Sequence, residues 1–258
     1  MKKFYYGLVV ILTLSIIAIL PTKGYADGWQ LYDDFNYTGV PDTDFWELGY
    51  SSPSCEADPS ATIYVNGSAA LFTHNPKKSG CSTWLRIKNP EGLPITAVMA
   101  SVKLEGSCGP DAKGRIGAVI GQDGSGNVVF QDIAVTYNRR ITTSANSFDS
   151  GNNLVDHIFS SSFGYWPIME YFGQNWVIVM GLDRSELNFS AFRPLAGALP
   201  QLDLGSTSFT PPEEIYENAD SWVGIGSRND TLPTRRPNDG DEGPCLIYFD
   251  NVLVYVVD

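Results

Sequence analysis

The sequence is poor in the residues from which most catalytic and metal sites are built. Only two histidines occur in 258 residues, and none of the four cysteines stands in a CxxC or Cys/His spacing, which argues against zinc and against thiol redox chemistry. Positive charge is scarce as well: 17 Lys and Arg stand against 29 Asp and Glu, a formal charge of −12. Such an excess repels phosphate backbones and anionic lipid, so no nucleic acid is expected as a partner, and an anionic polymer is disfavoured as a substrate. Long helical periodicity is missing, and no segment repeats at a period of roughly 20 to 50 residues, which disfavours propellers and solenoids. Beyond Leu20 no apolar run is long enough to cross a bilayer.

What is present begins with an export signature. Lys2 and Lys3 precede an apolar stretch, Phe4 to Leu20, and Gly24-Tyr25-Ala26 supplies the small residues that a signal peptidase reads. Cleavage after Ala26 removes three lysines and no acid, bringing the charge to −15. It leaves residues 27–258 as one domain, secreted or periplasmic, with no membrane insertion once the signal is gone. An uncleaved anchor is the alternative, because the apolar run is long for a signal core. Cys55, Cys81, Cys108 and Cys245 all fall in the exported part, where an even count predicts bridges. Of the three pairings open to four cysteines, Cys55 with Cys81 would flank a hairpin. Cys108 with Cys245 would then join the end of an early strand to the start of the last.

Short runs rich in Val, Ile, Tyr, Phe and Thr recur between clusters of Gly, Pro, Asn, Asp and Ser, which predicts an all-β chain. Strands are expected at 62–65, 69–73, 83–88, 95–104, 115–121, 127–137, 176–182, 186–192, 222–227 and 246–257. Asn66-Gly67 signals a type I′ hairpin turn, and Asp183-Arg184-Ser185 a second tight connection. In Val128 to Tyr137 the set Phe130, Asp132, Ala134 and Thr136 faces one way and Val129, Gln131, Ile133 and Val135 the other. Two antiparallel sheets that bury their apolar faces against each other satisfy this pattern. The rhythm breaks at 144–171, at 193–218, where Pro211-Pro212-Glu213-Glu214 suits a short helix start, and in an acidic loop at 229–244.

The exported part opens with Tyr32-Asp33-Asp34-Phe35, Gly39 and Asp44-Phe45-Trp46, and closes with Val223-Gly224-Ile225-Gly226-Ser227 and Phe249-Asp250-Asn251-Val252-Leu253-Val254-Tyr255. This pair of ends resembles bacterial members of the concanavalin A-like lectin/glucanase superfamily, which also contains laminin G-type modules. The resemblance implies a two-sheet antiparallel jelly roll, with first and last strands side by side in the flatter sheet and the other sheet curved into a groove. It also implies a structural Ca²⁺ near the chain ends, with Asp250 at the matching position and Asp34 beside it.

The glycosidases of that superfamily carry E-x-D-x-x-E on one groove strand, and this sequence has no such run. Retaining hydrolysis needs two carboxyls about 5 Å apart and inversion about 6.5 to 9.5 Å, so spaced acids on one face are a physical requirement. A lyase would need a base beside an acidic sugar, and His74 and His157 read instead as structural. Sugar binding asks for aromatic surface and hydroxyl partners. Trp84 with Arg86 and Lys88 shares the non-core face of one strand, and Tyr165 and Trp166 sit in a loop, whereas Trp176 and Trp222 read as core. The expectation is a non-catalytic, lectin-like module for a glycan or cell-surface partner. A polysaccharide hydrolase or lyase, or a structural and adhesive envelope protein, are the alternatives.

Overall fold

The computed structural model describes residues 28–257 apart from 58–60, 75–79, 107, 109–111, 138–139, 164–174, 194–201 and 229–243. The export segment 1–26, Tyr165 and Trp166 therefore lie outside the described residues, as does most of the acidic loop. In chain order the strands are β1 (Gly28–Asp33), β2 (Thr38–Gly39), β3 (Trp46–Tyr50), β4 (Ala61–Asn66), β5 (Ala70–His74) and β6 (Ser82–Ile87). They continue with β7 (Ile95–Gly106), β8 (Lys113–Gln122), β9 (Val128–Thr136), β10 (Ile141–Phe148) and β11 (Leu154–Phe163). The last five are β12 (Trp176–Gly181), β13 (Leu187–Arg193), β14 (Leu202–Phe209), β15 (Trp222–Arg228) and β16 (Cys245–Val256). One short helix, α1 (Pro53–Ala57), follows β3.

The strands form two antiparallel sheets. A nine-stranded sheet runs β14-β13-β12-β7-β16-β5-β4-β2 with β1 added alongside β16, and a seven-stranded sheet runs β11-β10-β9-β8-β15-β6-β3. First and last strands do lie side by side, Gly28 opposite Val256 and Leu31 opposite Leu253. The inward residues of both sheets share one apolar core, in which Phe72, Val98, Ile178 and Phe249 of the larger sheet meet Leu85, Ile116, Ile133 and Ile225 of the smaller. The alternation in β9 is as expected, with Val129, Ile133 and Val135 inward. Disulfides join Cys55 to Cys81 and Cys108 to Cys245, the second tying the end of β7 to the start of β16.

The opening motif has a physical account. The buried Asp33 carboxylate accepts from the Phe35 N–H at 2.7 Å, from Trp46 Nε1 at 2.7 Å and from the Tyr37 hydroxyl at 3.0 Å, so one acid folds the entry of the chain around its own aromatics. Phe35, fully buried, is held at φ 52° by this clasp.

Four expectations are corrected. Residues 144–163 are not a loop: they belong to the hairpin β10–β11, whose Ser and Asn residues are weak strand signals rescued by pairing on an established sheet. Residues 202–209 form β14, again paired rather than irregular. Residues 211–214 carry no helix. At the first hairpin only Gly67 takes a positive φ (91°), and the Asn66 side chain instead accepts from the backbone of Ser68 and Ala69 to close a longer loop.

Candidate functional site

The outward face of the seven-stranded sheet holds a dense arrangement of polar and aromatic side chains. Strand alternation puts Leu85 and Ile87 of β6 inside, so Trp84 and Arg86 point out. Register then fixes what stands beside them. Trp84 lies opposite Gly226 of β15, which lies opposite Arg115 of β8; Arg86 lies opposite Gly224, which lies opposite Gly117, which lies opposite Asp132 of β9. A Cβ on Gly226 or Gly117 would collide with the Trp84 indole, so these glycines clear the floor on which the ring rests.

On that floor the Trp84 ring meets its neighbours edge to face, and those neighbours meet each other at a tilt. Trp84 meets Trp222 at 5.2 Å and Phe130 at 5.8 Å, and Phe130 meets Trp222 at 6.0 Å. The Arg115 guanidinium sits 4.3 Å from the Trp84 ring centre, and that of Arg86 sits 4.5 Å from Trp222. A chain of hydrogen bonds crosses five strands beneath and beside the rings. Arg115 donates to Ser82 Oγ and, at 3.0 Å, to Asp132 Oδ2; Ser144 donates to Asp132 Oδ1 at 2.6 Å; Asn146 donates to Ser144 Oγ at 3.2 Å; and His157 Nδ1 lies 2.8 Å from Asn146 Oδ1. The Arg115–Asp132 pair is buried, so each charge depends on the other.

The sequence-based residues fall out unevenly. Trp84 is on the expected face but is only 3% exposed, so its ring supports the site from below and offers no surface to a sugar; the reason is the glycine floor and the two rings packed on it. Trp222, read as core, points outward and is half-buried, because Val223 and Ile225 take the inward positions of β15. Arg86 is half-buried, and burial holds its guanidinium below the usual arginine range while Glu47 opposes that shift. Lys88 is exposed and donates to the Thr43 carbonyl at 2.8 Å. Arg115, Asp132, Phe130 and Asn146 were missed as site residues. Their partnership depends on register between strands, which no local pattern carries.

Charge on this face runs against that of the molecule. Arg86, Lys88, Lys113, Arg115 and Arg228 occupy its outward positions. Among the described residues of the sheet, Glu47 and Asp132 are the acids at outward positions. Asp132 has both carboxylate oxygens engaged, and its same-face neighbours in β9 are Phe130 and Ala134. Glu47 stands on β3, with β6, β15 and β8 between, so four inter-strand steps of about 4.8 Å separate the two acids by roughly 19 Å. Neither spacing used in glycoside hydrolysis arises between them. Beside Trp222 a cleft of about 620 Å³ opens at the end of the sandwich, bordered by Lys88, Asn89, Asp183, Arg184 and Glu217.

A calcium site near the chain ends meets a partial set of ligands. Burial pushes the Asp250 carboxyl up, the Asn251 backbone pulls it down, and the Asp34 carboxylate pushes it up again, so the two acids share one locality. Asp34 accepts from Asn36 through its backbone (3.2 Å) and side chain (2.5 Å). Two carboxylates fit a hard cation that takes six to eight oxygens, but no third His, Cys, Asp or Glu joins them among the described residues. Backbone carbonyls or water would have to supply the rest.

No protein-family model matches the chain, and no curated protein matches it. Solved structures do. The laminarinase catalytic domain of Thermotoga maritima MSB8 superimposes with a TM-score of 0.55 at 13% identity, covering 89% of this chain and 99% of that one. The laminarinase of Flavobacterium sp. UMI-01 gives 0.54 at 12% identity, covering 86% and 97%. Porphyranase B of Zobellia galactanivorans gives 0.53 at 13%, covering 89% and 94%. At such identities the likeness is one of fold, the two-sheet jelly roll.

Proposed function

We propose that this protein is a secreted or periplasmic, lectin-like module that binds carbohydrate on the outward face of its seven-stranded sheet, without a catalytic step. The observation that carries the reading is the partly exposed Trp222, with Phe130 and Arg86 beside it, at the border between that face and the 620 Å³ cleft. Partly exposed rings supply apolar surface for the C–H faces of sugars, and Asn146, Ser144 and His157 supply hydroxyl partners along the same sheet. The jelly-roll neighbours named laminarinase and porphyranase lend the carbohydrate reading support, and they equally favour a hydrolase as the second reading. What weighs against the hydrolase is the roughly 19 Å between Glu47 and Asp132, the two acids at described outward positions of the face.

The test is a glycan array followed by calorimetry with the strongest binder. Trp222→Ala is expected to weaken binding at least about tenfold, as loss of a buried aromatic anchor does, and no reducing ends should appear on long incubation. Release of reducing ends would select the hydrolase; failure of every glycan to bind would leave the adhesive alternative. Both disulfides suit the oxidising compartment that the export signature addresses. A Ca²⁺ ion held by Asp34 and Asp250 belongs to the same proposal, with their shared acidic locality as its support. A melting temperature unmoved by chelator after dialysis against Ca²⁺ would remove it.

A further inference from the structure

The overall charge of −12 pointed away from anionic polymers, but charge is unevenly spread. Among the described residues, the outward positions of the seven-stranded sheet hold five Lys and Arg and two Asp and Glu. One of those acids, Asp132, is committed to Arg115. The other, Glu47, stands directly opposite Arg86 on the neighbouring strand, yet no ion pair joins the two. Arg86 thus differs from Arg115, 29 residues on and pointing from the same face. Its guanidinium, held against Trp222, makes no ion pair with a described residue, whereas that of Arg115, held against Trp84, is paired with Asp132.

We propose that Arg86 reads an oxyanion on the bound glycan, so that the ligand is an acidic carbohydrate, sulfated or uronate, and not a neutral one. This rests on the carbohydrate-binding function above and names its ligand class. A half-buried guanidinium has lost part of its hydration and, although the charge of Glu47 favours it, lacks a direct counter-ion contact. A sulfate or carboxylate restores both, because the planar fork of arginine donates two parallel N–H bonds to two oxygens of one group. Contact with Trp222 limits the rotamers of Arg86 before any ligand arrives, which reduces the ordering cost of that recognition. The sugar that carries the anion then lies within reach of Trp222 and Phe130, whose rings are 6.0 Å apart.

Matched pairs of polysaccharides test it: dextran sulfate against dextran for the sulfate ester, and polygalacturonate against its methyl ester for the carboxylate. The exported protein is expected to bind one acidic member at least about tenfold more tightly than its neutral partner, the scale of a lost charged hydrogen-bond pair. Arg86→Gln should bring the two members within about twofold of each other; Arg86→Lys, which keeps the charge and loses the fork, should retain an intermediate preference. Thermal melting identifies a variant that has not folded, and the Lys variant then carries the test. Equal binding of both members, or a preference that survives loss of the guanidinium, overturns the inference while leaving carbohydrate binding intact. No binding by either member, with neutral array glycans also silent, removes the function first. Capture of a DNA oligonucleotide with the same Arg86 dependence, and of no glycan, would reassign the face to phosphate and overturn it as well.

Discussion

On the outward side of the nine-stranded sheet, Leu31, Leu253, Met99 and Val179 stand in one row across β1, β16, β7 and β12, and Trp29 meets Tyr255 edge to face at 5.4 Å beside it. On the outward side of the seven-stranded sheet, the corresponding positions hold an arginine–aspartate pair, two tryptophans and a relay of Ser, Asn and His. Both faces cover the same core, so stability alone does not ask for the second design. A buried ion pair seldom stabilises a fold more than apolar residues of like shape, because desolvation offsets the Coulomb gain. What the pair supplies is position: Arg115 fixes the Trp84 ring, and Trp222 and Phe130 rest against that ring. The polar face is organised around placing a few side chains, and the apolar one is not.

The largest expected effect breaks that pair. Arg115→Ala strands the Asp132 carboxylate in a buried site and should cost about 3–5 kcal/mol in urea unfolding. Replacing both partners, Arg115→Met with Asp132→Leu, should recover most of the stability yet still lose glycan affinity, since the floor under Trp84 changes shape. A single variant that unfolds within about 0.5 kcal/mol of the parent, the range of an ordinary surface substitution, would mean that the two faces are built alike after all.

The next effect concerns what joins the sheets. His74 of β5 is fully buried, and its Nε2 lies 2.6 Å from Ser227 Oγ of β15, a polar tie from one layer to the other. Burial, with a smaller contribution from Arg115, pushes its imidazole down to about 4 from an ordinary 6.5. The unfolded chain therefore takes up this proton before the folded one does. The stability that the neutral ring allows is complete above pH 6.5 and is lost as pH falls toward 4, by about 3 kcal/mol for a shift of this size. Chemical denaturation across that window should follow this slope in the parent and flatten in His74→Asn. A flat parent profile would show that the ring is hydrated, and the sheets less tightly closed at that end than the burial indicates.

Much of this architecture was legible before any coordinates. Ten strands were placed within a few residues, because alternation in segments such as β9 and β16 leaves one apolar side. The hairpin β10–β11 was not, since Thr, Ser, Asn and Asp there prefer turns in isolation and become strand only by pairing with β9. The site was half legible. Alternation separates the two sides of a strand but does not say which side is the core when both carry aromatics. That is why Trp222 was read as core, whereas Trp84 was placed on the correct side and is covered there by Trp222 and Phe130. Gly224 and Gly226 at alternate positions of β15 held the missing signal, because a strand side emptied of Cβ atoms makes room for a large neighbour.

The smallest expected effect tests the plainer face. Lys103 and Glu105 project from β7 on the outward side of the nine-stranded sheet and pair at 2.5 Å, with Lys103 Nζ also 5.4 Å from the Tyr248 ring. The two are partly solvent-exposed, so water screens their attraction and each long side chain gives up rotamers to hold it. A double-mutant cycle over Lys103→Ala and Glu105→Ala should therefore return a coupling of about 0.2–1 kcal/mol, falling further as salt is raised. Glycan affinity should not change in any corner of the cycle, since the whole sandwich lies between this pair and Arg86. A coupling as large as that of Arg115 with Asp132, or a loss of binding with Lys103→Ala, would place a second organised site on the face that Leu31, Met99 and Val179 leave plain.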